Sequence, residues 1–467
     1  MAPHRSPSSL ELAAAAAPEL DDDGRPRRTG NLWTCVVHII TGEIGIGVLA
    51  LSWSVAQLGW VAGPLAMLCF AFLMYISAFM MTHCYRSPEP DKLRRNYTYM
   101  DAVRTHLGKK RQWFCGLCQY LSFYGLAIAY TLTTATCLSA MDKANCYHAE
   151  GHDAPCGGSR REHLYMVLFG VAQLLLSFIP NFHSMVWLSV VAAIMSFTYS
   201  SIGMGLGLAK TIENGAIRGS ISGVPMHTTM QRVWRVAQAI GDIAFAYPYT
   251  TIVLEIQDTL KSSPPESETM RKGNVIAVLV TTFFYLCVSC FGYAAFGNAA
   301  PGNLLTGFGF YEPYWLIDFA NACIVLHLLG GYQLYSQQIF SLVDRSLAAN
   351  FPDSAFVNKF YAFTVPGLAM SYKLNLQRLC FRTVYVVSTT VLAMVFPYFN
   401  EVLGVFGAIT FWPLAIYLPL EMYCVQKNVL PWTGKWLLLQ AFSVVCLVVG
   451  TFALVGSVVG VVLKRIG

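Results

Sequence analysis

Long, nearly uninterrupted apolar runs are the feature that most restricts how this chain can fold. A membrane-spanning helix needs about 20 mostly apolar residues, because lipid offers the backbone no hydrogen-bond partner. Segments of alternating polarity, roughly ten residues long as in a β-barrel, are not seen. The sequence therefore predicts an all-α polytopic membrane protein with 11 transmembrane helices. Their centres lie near Gly45, Phe72, Ala127, Gln173, Met195, Ala246, Phe284, Ile324, Val387, Trp412 and Val448.

The low charge content supports the same fold class. Charged residues make up 12% of the chain, about half of the roughly 25% in an average soluble protein. This excludes a soluble enzyme, a disordered scaffold and a nucleic-acid-binding protein. No phosphate-binding loop and no nucleophile with its base is found, so we expect neither an ATP-driven pump nor a membrane enzyme. We also expect no metal site, because Cys115 and Cys118 open a membrane helix without a second cysteine pair.

Lysine and arginine residues in the predicted loops indicate the orientation, since they collect on the cytoplasmic side. With the N-terminus inside, the cytoplasmic segments hold 21 of them and the outer segments hold 8. This bias predicts a cytoplasmic N-terminus and, after eleven spans, an extracellular C-terminus. Residues 1–30 have an order unlike that of a secretory signal, so we expect a disordered cytoplasmic tail. Residues 31–467 would then form the transmembrane domain.

Two of the 14 cysteines, Cys146 and Cys156, share the predicted extracellular loop between the third and fourth spans. The extracellular side is oxidising, which favours a disulfide between them. The other cysteines lie in or beside the apolar runs. We therefore expect one disulfide that closes this loop.

Two of the apolar runs contain helix-breaking residues near their centres. In the first run, the segment Gly42–Gly47 has three glycines around Glu43, and in the sixth run Pro248 follows Asp242. Proline removes a donor and clashes with the preceding turn, and each glycine lowers helix propensity by up to about 1 kcal/mol. Both helices are predicted to break near the bilayer centre, where free backbone groups survive only when buried or lining a cavity.

The two predicted breaks occupy corresponding positions in two halves of the chain. The similar tripeptides Gly42–Ile44 and Gly241–Ile243 are separated by 199 residues. Such a pair indicates the substrate site of a secondary transporter, although close packing of helices through small residues is an alternative explanation of the glycines. The free amides of a broken helix would bind a carboxylate and its free carbonyls an ammonium group, which suits a zwitterionic amino acid.

Five longer motifs carry a resemblance to a known family. They are Asn96–Val103, Gly241–Tyr247, Glu255–Thr259, Gly292–Gly297 and Asn303–Trp315. These motifs closely resemble the plant amino acid permeases of the amino acid/auxin permease family, and the resemblance extends from about Thr29 to the C-terminus. It implies a leucine-transporter-like fold with broken helices 1 and 6. Two inverted five-helix repeats would cover about 31–208 and 233–424, and a final helix would cover about 435–463.

The resemblance also implies a function. It points to proton-coupled symport of amino acids into the cell across the plasma membrane, with the lipid bilayer as surroundings and protons as coupling ions, and with no other cofactor. A non-transporting amino-acid sensor and a carrier for auxin or a related amine remain as alternatives. Two departures concern the first break, where the family usually has a small apolar residue at the position of Glu43 and a serine or alanine at the position of Ile46. Glu43 could add a proton site, repel acidic substrates, favour cationic ones or impair transport.

The candidate substrate-binding residues lie at the two breaks and on the third and eighth spans. They are Thr41, Gly42, Glu43, Ile44, Gly45, Gly47, Tyr130, Phe245, Ala246, Tyr247 and Asn321. In the fold that the resemblance implies, a tyrosine of the third span often caps the substrate carboxylate, and we assign this role to Tyr130. Phe245 and Tyr247 would shape the pocket for the substrate side chain.

Three ionisable residues within spans are candidates for proton coupling, namely His38, Asp242 and His327. Ionisable groups are costly inside a bilayer and are functional by default. Histidine titrates near pH ~6.5, within the range of an acidic cell wall. A purely structural hydrogen bond is the alternative role for both histidines, and contact with the substrate amine is the alternative for Asp242.

Overall fold

The computed structural model describes residues 28–87, 95–151, 156, 159–178, 186–247, 249–308, 314–364 and 371–466. Pro248 and most of the predicted disordered tail lie outside these ranges. The α-helices are α1 (Leu32–Glu43), α2 (Gly47–His83), α3 (Tyr99–Leu107), α4 (Lys109–Glu150), α5 (Ser159–Ser177), α6 (Val186–Glu213), α7 (Thr229–Ala246), α8 (Val253–Gln257), α9 (Glu266–Phe296), α10 (Tyr314–Asn350), α11 (Ala355–Asn358), α12 (Leu376–Val395), α13 (Phe399–Thr410), α14 (Leu418–Gln426) and α15 (Gly434–Ile466). A π-helical segment, Phe411–Tyr417, joins α13 to α14. The strands β1 (Phe360–Thr364) and β2 (Ser371–Asn375) form an antiparallel hairpin.

Eight helices of the described residues are long and apolar enough to cross a membrane. Three of the eleven predicted spans are not among these eight helices. Two of these coincide with α1, which has 12 residues, and α7, which has 18, and each of them ends at an interruption of its apolar run. The third coincides with α5, whose first turn carries Arg160, Arg161 and Glu162 and is therefore less apolar. The chain is a helical, multi-pass membrane protein.

Helix α2 contains a sharp bend at Gly59. Its φ of +87° belongs to the left-handed region that only glycine adopts readily. A Cβ at this position would also overlap the Ile221 carbonyl oxygen. The bend separates the segment that follows α1 from the longer segment, Trp60–His83, which covers the second predicted span.

The helices differ in how much of their surface they bury. The most apolar stretch of Phe399–Gln426 is 72% buried, whereas that of α15 is 28% buried. The outer face of α15 exposes large apolar side chains such as Val444, Val445 and Val448. Because lipid is as apolar as these side chains, this exposure identifies α15 as a peripheral helix in the membrane.

Close backbone contacts bind α7 to α13 and α15. A Cβ added to Gly241 would lie 2.7 Å from the Gly404 carbonyl oxygen and 2.9 Å from the Ser457 hydroxyl. A Cβ added to Gly404 would lie 3.0 Å from an oxygen of Asp242. Glycine is therefore needed here so that three helices can approach and enclose the Asp242 side chain.

Cys146 and Cys156 form a disulfide, with their Cα atoms 5.8 Å apart. Nearby, an ion pair joins Arg161 of α5 to Asp142 of α4 at 2.5 Å. The disulfide and the ion pair hold the end of α4 against the start of α5. Among the described residues, the remaining cysteines are free thiols, including Cys115 and Cys118.

The segment before α1 is bonded to the segment after α8. The Gly30 amide donates to the Thr259 carbonyl at 3.0 Å, and the Lys261 amide donates to the Gly30 carbonyl at 3.0 Å. Beside this bridge, the Tyr85 hydroxyl donates to Asp258 at 2.6 Å. Burial, followed by this hydrogen bond, raises the pKa of the Tyr85 phenol. These bonds tie both interrupted regions of the chain together at one end of the helical bundle.

Candidate functional site

The first helix interruption covers the residues between Glu43, where α1 ends, and Gly47, where α2 begins. Two side chains of α6 satisfy carbonyl groups that the interruption frees. The Ser196 hydroxyl donates to the Ile44 carbonyl at 2.8 Å, and the Tyr199 hydroxyl donates to the Gly45 carbonyl at 3.0 Å. The irregular backbone is therefore held by neighbouring side chains, as buried peptide groups require.

The second interruption lies between Ala246, where α7 ends, and Thr250, where a turn of 3₁₀ helix begins. It contacts the first interruption directly, because a Cβ added to Gly47 would lie 2.7 Å from the Ala246 Cα atom. The Tyr285 hydroxyl of α9 lies 2.6 Å from the Glu43 carbonyl oxygen and 2.8 Å from that of Ala246. One side chain thus contacts the carbonyl ends of both α1 and α7.

A cavity of about 80 Å³, the central cavity, lies beside the two interruptions. Seven of the predicted substrate-binding residues line it: Gly42, Glu43, Gly45, Gly47, Tyr130, Phe245 and Ala246. The wall also contains residues that the sequence analysis did not predict, namely Ile46, Ser122, Phe123, Leu126, Thr250, Thr251, Tyr335, Thr410, Leu414 and Ala415. Part of this set could have been predicted from helix periodicity. Ser122, Leu126 and Tyr130 are spaced by four residues and therefore share one face of α4.

A second cavity of about 210 Å³, the histidine cavity, adjoins the central cavity and is lined by His38, Thr41 and His327. The two cavities share Tyr130 and Tyr335. The Nδ1 atom of His327 lies 3.1 Å from the Ala192 carbonyl oxygen and 3.2 Å from the Ser196 hydroxyl. A carbonyl oxygen can only accept a hydrogen bond, so this contact assigns a hydrogen to Nδ1.

A third cavity of about 610 Å³, the vestibule, adjoins the histidine cavity through their shared residues Glu255 and Gln338. Its wall includes Thr98, Arg345 and Ser346, which are exposed at the protein surface. The three cavities therefore form a widening series from the helix interruptions to the surface, on the side of α3 and of the last turns of α10.

Asp242 is fully buried but does not line these cavities. The Asn400 side-chain amide donates to one of its carboxylate oxygens at 3.0 Å. The next residue on α13, Glu401, is also buried and pairs with Lys464 of α15 at 2.9 Å. Asp242 thus belongs to a polar network that joins α7, α13 and α15.

The structure places three predicted substrate-binding residues outside the central and histidine cavities. The Ile44 side chain is buried, and its carbonyl group accepts the hydrogen bond from Ser196. The Tyr247 ring packs against Tyr285, with ring centroids 5.0 Å apart. Asn321 lines neither cavity; its side-chain amide donates to the Ile317 carbonyl of its own helix at 2.9 Å, and its side-chain oxygen is buried without a partner.

The sequence of this chain matches one protein family and is similar to several plant proteins. Residues 28–463 match the family described as transmembrane amino acid transporter protein. The chain is 56% identical over 448 residues to the probable amino acid permease 7 of Arabidopsis thaliana, which covers 95% of this chain and 96% of the relative. It is 50% identical to the amino acid permease 3 of the same plant, over 95% of this chain and 93% of the relative.

Solved structures share the fold at low sequence identity. MhsT, solved in complex with L-phenylalanine, matches with a TM-score of 0.59 and 10% identity, over 93% of this chain and all of MhsT. Mhp1, a nucleobase-cation-symport-1 family transporter, matches with a TM-score of 0.54 and 12% identity, over 93% of this chain and 92% of Mhp1. From its sequence relatives, the chain belongs to the transmembrane amino acid transporter family, among the plant amino acid permeases.

Proposed function

We propose that this protein is a secondary active transporter that carries amino acids together with protons into the cell across the plasma membrane by alternating access. The observation that carries the proposal is the contact of two helix interruptions beside one small cavity. Relatives named amino acid permeases support the class of substrate. The L-phenylalanine bound to MhsT, which shares the fold, is consistent with this class.

The interruptions offer complementary charges to a zwitterion. The carbonyl ends of α1 and α7 lie at Glu43 and Ala246, and helical structure resumes at Gly47. A helix C-terminus carries partial negative charge and an N-terminus partial positive charge. The substrate ammonium would therefore lie toward the carbonyl ends and its carboxylate toward the amides near Gly47, within reach of Tyr130. Phe245 would contact the substrate side chain from the central cavity.

Proton coupling would involve His38 and His327 in the histidine cavity and Asp242 in the polar network. Each proton that crosses a membrane potential of 100 mV contributes about 2.3 kcal/mol. At one proton per substrate, this supports a concentration ratio of roughly 50-fold, since each 1.4 kcal/mol corresponds to a factor of ten.

We further propose eleven spans, of which the first and the sixth are broken at the two interruptions, with a cytoplasmic N-terminus and an extracellular C-terminus. The lysine and arginine distribution supports this orientation. The vestibule would then face the cytoplasm, and the series of cavities would be the route by which substrate leaves toward the cell interior.

The test is a voltage-clamp recording in oocytes that express the protein, at external pH of about 5.5 and about 7.5, on either side of the ordinary histidine pKa. Alanine, glutamate, lysine and auxin are applied in turn. We expect inward currents with amino acids that increase at the acidic pH.

Two results would contradict the proposal. Current with auxin alone would identify a carrier for auxin or a related amine. No current with any of these compounds, with surface expression confirmed by biotinylation, would favour a non-transporting amino-acid sensor on the same scaffold.

A further inference from the structure

Glu43 is an unpaired carboxylate in the wall of the central cavity. Its residue is 4% exposed, and neither carboxylate oxygen makes a hydrogen bond. The Thr281 hydroxyl faces the carboxylate but donates to the Val278 carbonyl at 3.3 Å. Among the described residues, no lysine, arginine or histidine forms an ion pair with Glu43. A buried charge is costly unless it is paired and hydrogen-bonded.

Four further hydroxyl groups are buried and also lack hydrogen-bond partners. They belong to Tyr247, Tyr249, Thr250 and Thr282. Thr250 lines the central cavity with Glu43. Tyr247, Tyr249 and Thr282 do not line this cavity. Buried polar groups are nearly always paired, so the cluster formed by the Glu43 carboxylate and the Thr250 hydroxyl in one cavity wall indicates a bound group that would bridge them.

The chemistry of the cluster restricts that bound group. A carboxylate and hydroxyl oxygens can all accept hydrogen bonds, and an ammonium or a guanidinium group offers three or five donors with a positive charge. A proton on Glu43 would satisfy one carboxylate oxygen and leave the other without a donor. The cluster is therefore more complementary to an organic cation than to a proton.

The charge balance of the site indicates which cation of a substrate would bind. The α-ammonium and α-carboxylate of an amino acid cancel, and the carbonyl ends of α1 and α7 retain a second lone pair for the ammonium. Glu43 adds one negative charge beyond this arrangement. A dibasic amino acid carries one further positive charge on its side chain, which would neutralise Glu43.

We infer that Glu43, together with the Thr250 hydroxyl in the same cavity wall, forms a receptor for the side-chain ammonium or guanidinium group of a dibasic amino acid. The inference rests on the proposed function, because it takes the central cavity as the substrate site. Glu43 would then be the residue that gives this chain a preference for lysine or arginine over neutral amino acids.

Equilibrium binding to the purified full-length protein in detergent tests the inference without requiring transport. Radiolabelled lysine and alanine are bound to the wild type and to Glu43→Gln, which removes the charge and keeps the shape. We expect the ratio of the lysine Kd to the alanine Kd to rise at least ~10-fold, as expected when one charged hydrogen-bonding partner of the lysine side chain is lost. Glu43→Asp should recover part of the lysine preference.

The matched control is Glu421→Gln. Glu421 is another membrane carboxylate, but it pairs with Arg111 at 3.7 Å and accepts from Gln440 at 2.8 Å, away from the cavities. This variant should bind lysine and alanine as the wild type does. An unchanged ratio in Glu43→Gln, whether from unchanged binding or from an equal loss of lysine and alanine binding, would overturn the inference.

A second measurement needs no variant and so does not depend on the folding of Glu43→Gln. Norleucine has the same chain length as lysine but lacks the terminal ammonium. We expect the wild type to bind lysine at least ~10-fold more tightly than norleucine, a difference of about 1.4 kcal/mol. Equal or weaker binding of lysine would overturn the inference. Lysine binding without any transport current would instead contradict the proposed function and leave the receptor intact.

Discussion

Glu43 lies at the first helix interruption and Asp242 lies one turn before the second, and the protein surrounds these two carboxylates in different ways. Glu43 lines the central cavity and has no hydrogen-bond partner. Asp242 lies away from the cavities and accepts a hydrogen bond from Asn400. Its helix is packed by glycines against α13 and α15. Similar tripeptides in the two halves therefore place one carboxylate in a cavity wall, where a ligand can reach it, and enclose the other between packed helices.

The largest effect is expected where the two interruptions touch. Gly47→Val should reduce transport at least ~100-fold, because a side chain there would collide with the Ala246 backbone, and overpacking costs roughly 1–3 kcal/mol or more. Uptake of labelled amino acid, normalised to surface expression, measures the loss. Gly205→Ala on α6 is the control, since its Cβ would meet no atom within 4 Å. Wild-type uptake by Gly47→Val would show that the interruptions need not touch.

The two carboxylates should differ in their effect on acid stimulation. In Asp242→Asn, the ratio of currents at pH of about 5.5 and about 7.5 should fall to roughly one, because an amide cannot exchange the coupling proton. Glu43→Gln should keep the wild-type ratio for alanine. The control is Asp318→Asn, whose carboxylate accepts from Asn145 at 2.8 Å and lies outside the central cavity. Equal loss of acid stimulation in Asp242→Asn and Glu43→Gln would contradict the proposal that Asp242, and not Glu43, takes part in proton coupling.

A smaller effect is expected when the link between the interruptions is removed. Tyr285→Phe deletes the hydroxyl that contacts the Glu43 and Ala246 carbonyl groups, and unpaired buried groups cost about 1–3 kcal/mol. We expect transport to fall about 5- to 100-fold, as measured by uptake at saturating substrate. Tyr293→Phe on the same helix is the control, since the Tyr293 hydroxyl donates to Ser220 at 3.1 Å. Similar losses in both variants would mean that the contact has no special role.

The smallest effect is expected at Ser196. Ser196→Ala removes the hydroxyl that donates to the Ile44 carbonyl, but the Tyr199 hydroxyl lies 3.3 Å from the same oxygen and can share its hydrogen between the Ile44 and Gly45 carbonyl groups. We expect uptake to fall by less than ~3-fold. In the double variant Ser196→Ala/Tyr199→Phe, the fold reduction in uptake should exceed the product of the fold reductions in the two single variants. Purely multiplicative losses would show that the two hydroxyl groups act independently.

Sequence reasoning predicted the helical membrane class and several residues that line the central cavity, because apolar run length and glycine affect helix formation locally. The glycines at Gly42–Gly47 indicated where α1 would end, and seven predicted residues line the central cavity. The partners of the freed carbonyl groups could not be predicted. Ser196, Tyr199 and Tyr285 are ordinary polar residues within apolar helices, and their roles depend on contacts between residues 39 to 242 positions apart.

The placement of Asp242 and Asn321 shows a second limit of local patterns. Asp242 precedes Phe245 by three residues, which suggests a shared helix face, but the close approach of α13 and α15 encloses its side chain elsewhere. Asn321 shares α10 with His327, yet its amide bonds to its own helix. Helix periodicity fixes the direction of a side chain, whereas the packing of neighbouring helices decides whether a cavity lies there.

The Tyr285 hydroxyl has a single hydrogen, although it lies within hydrogen-bond distance of two carbonyl oxygens. At any moment it can donate to the end of α1 or to the end of α7, but not to both. A substrate ammonium that binds one of these carbonyl oxygens would weaken that oxygen as an acceptor for the phenol and favour donation to the other. The phenol thus has two alternative hydrogen-bond acceptors. Substrate bound at the end of one helix would change the hydrogen bond at the end of the other, without any movement of the backbone.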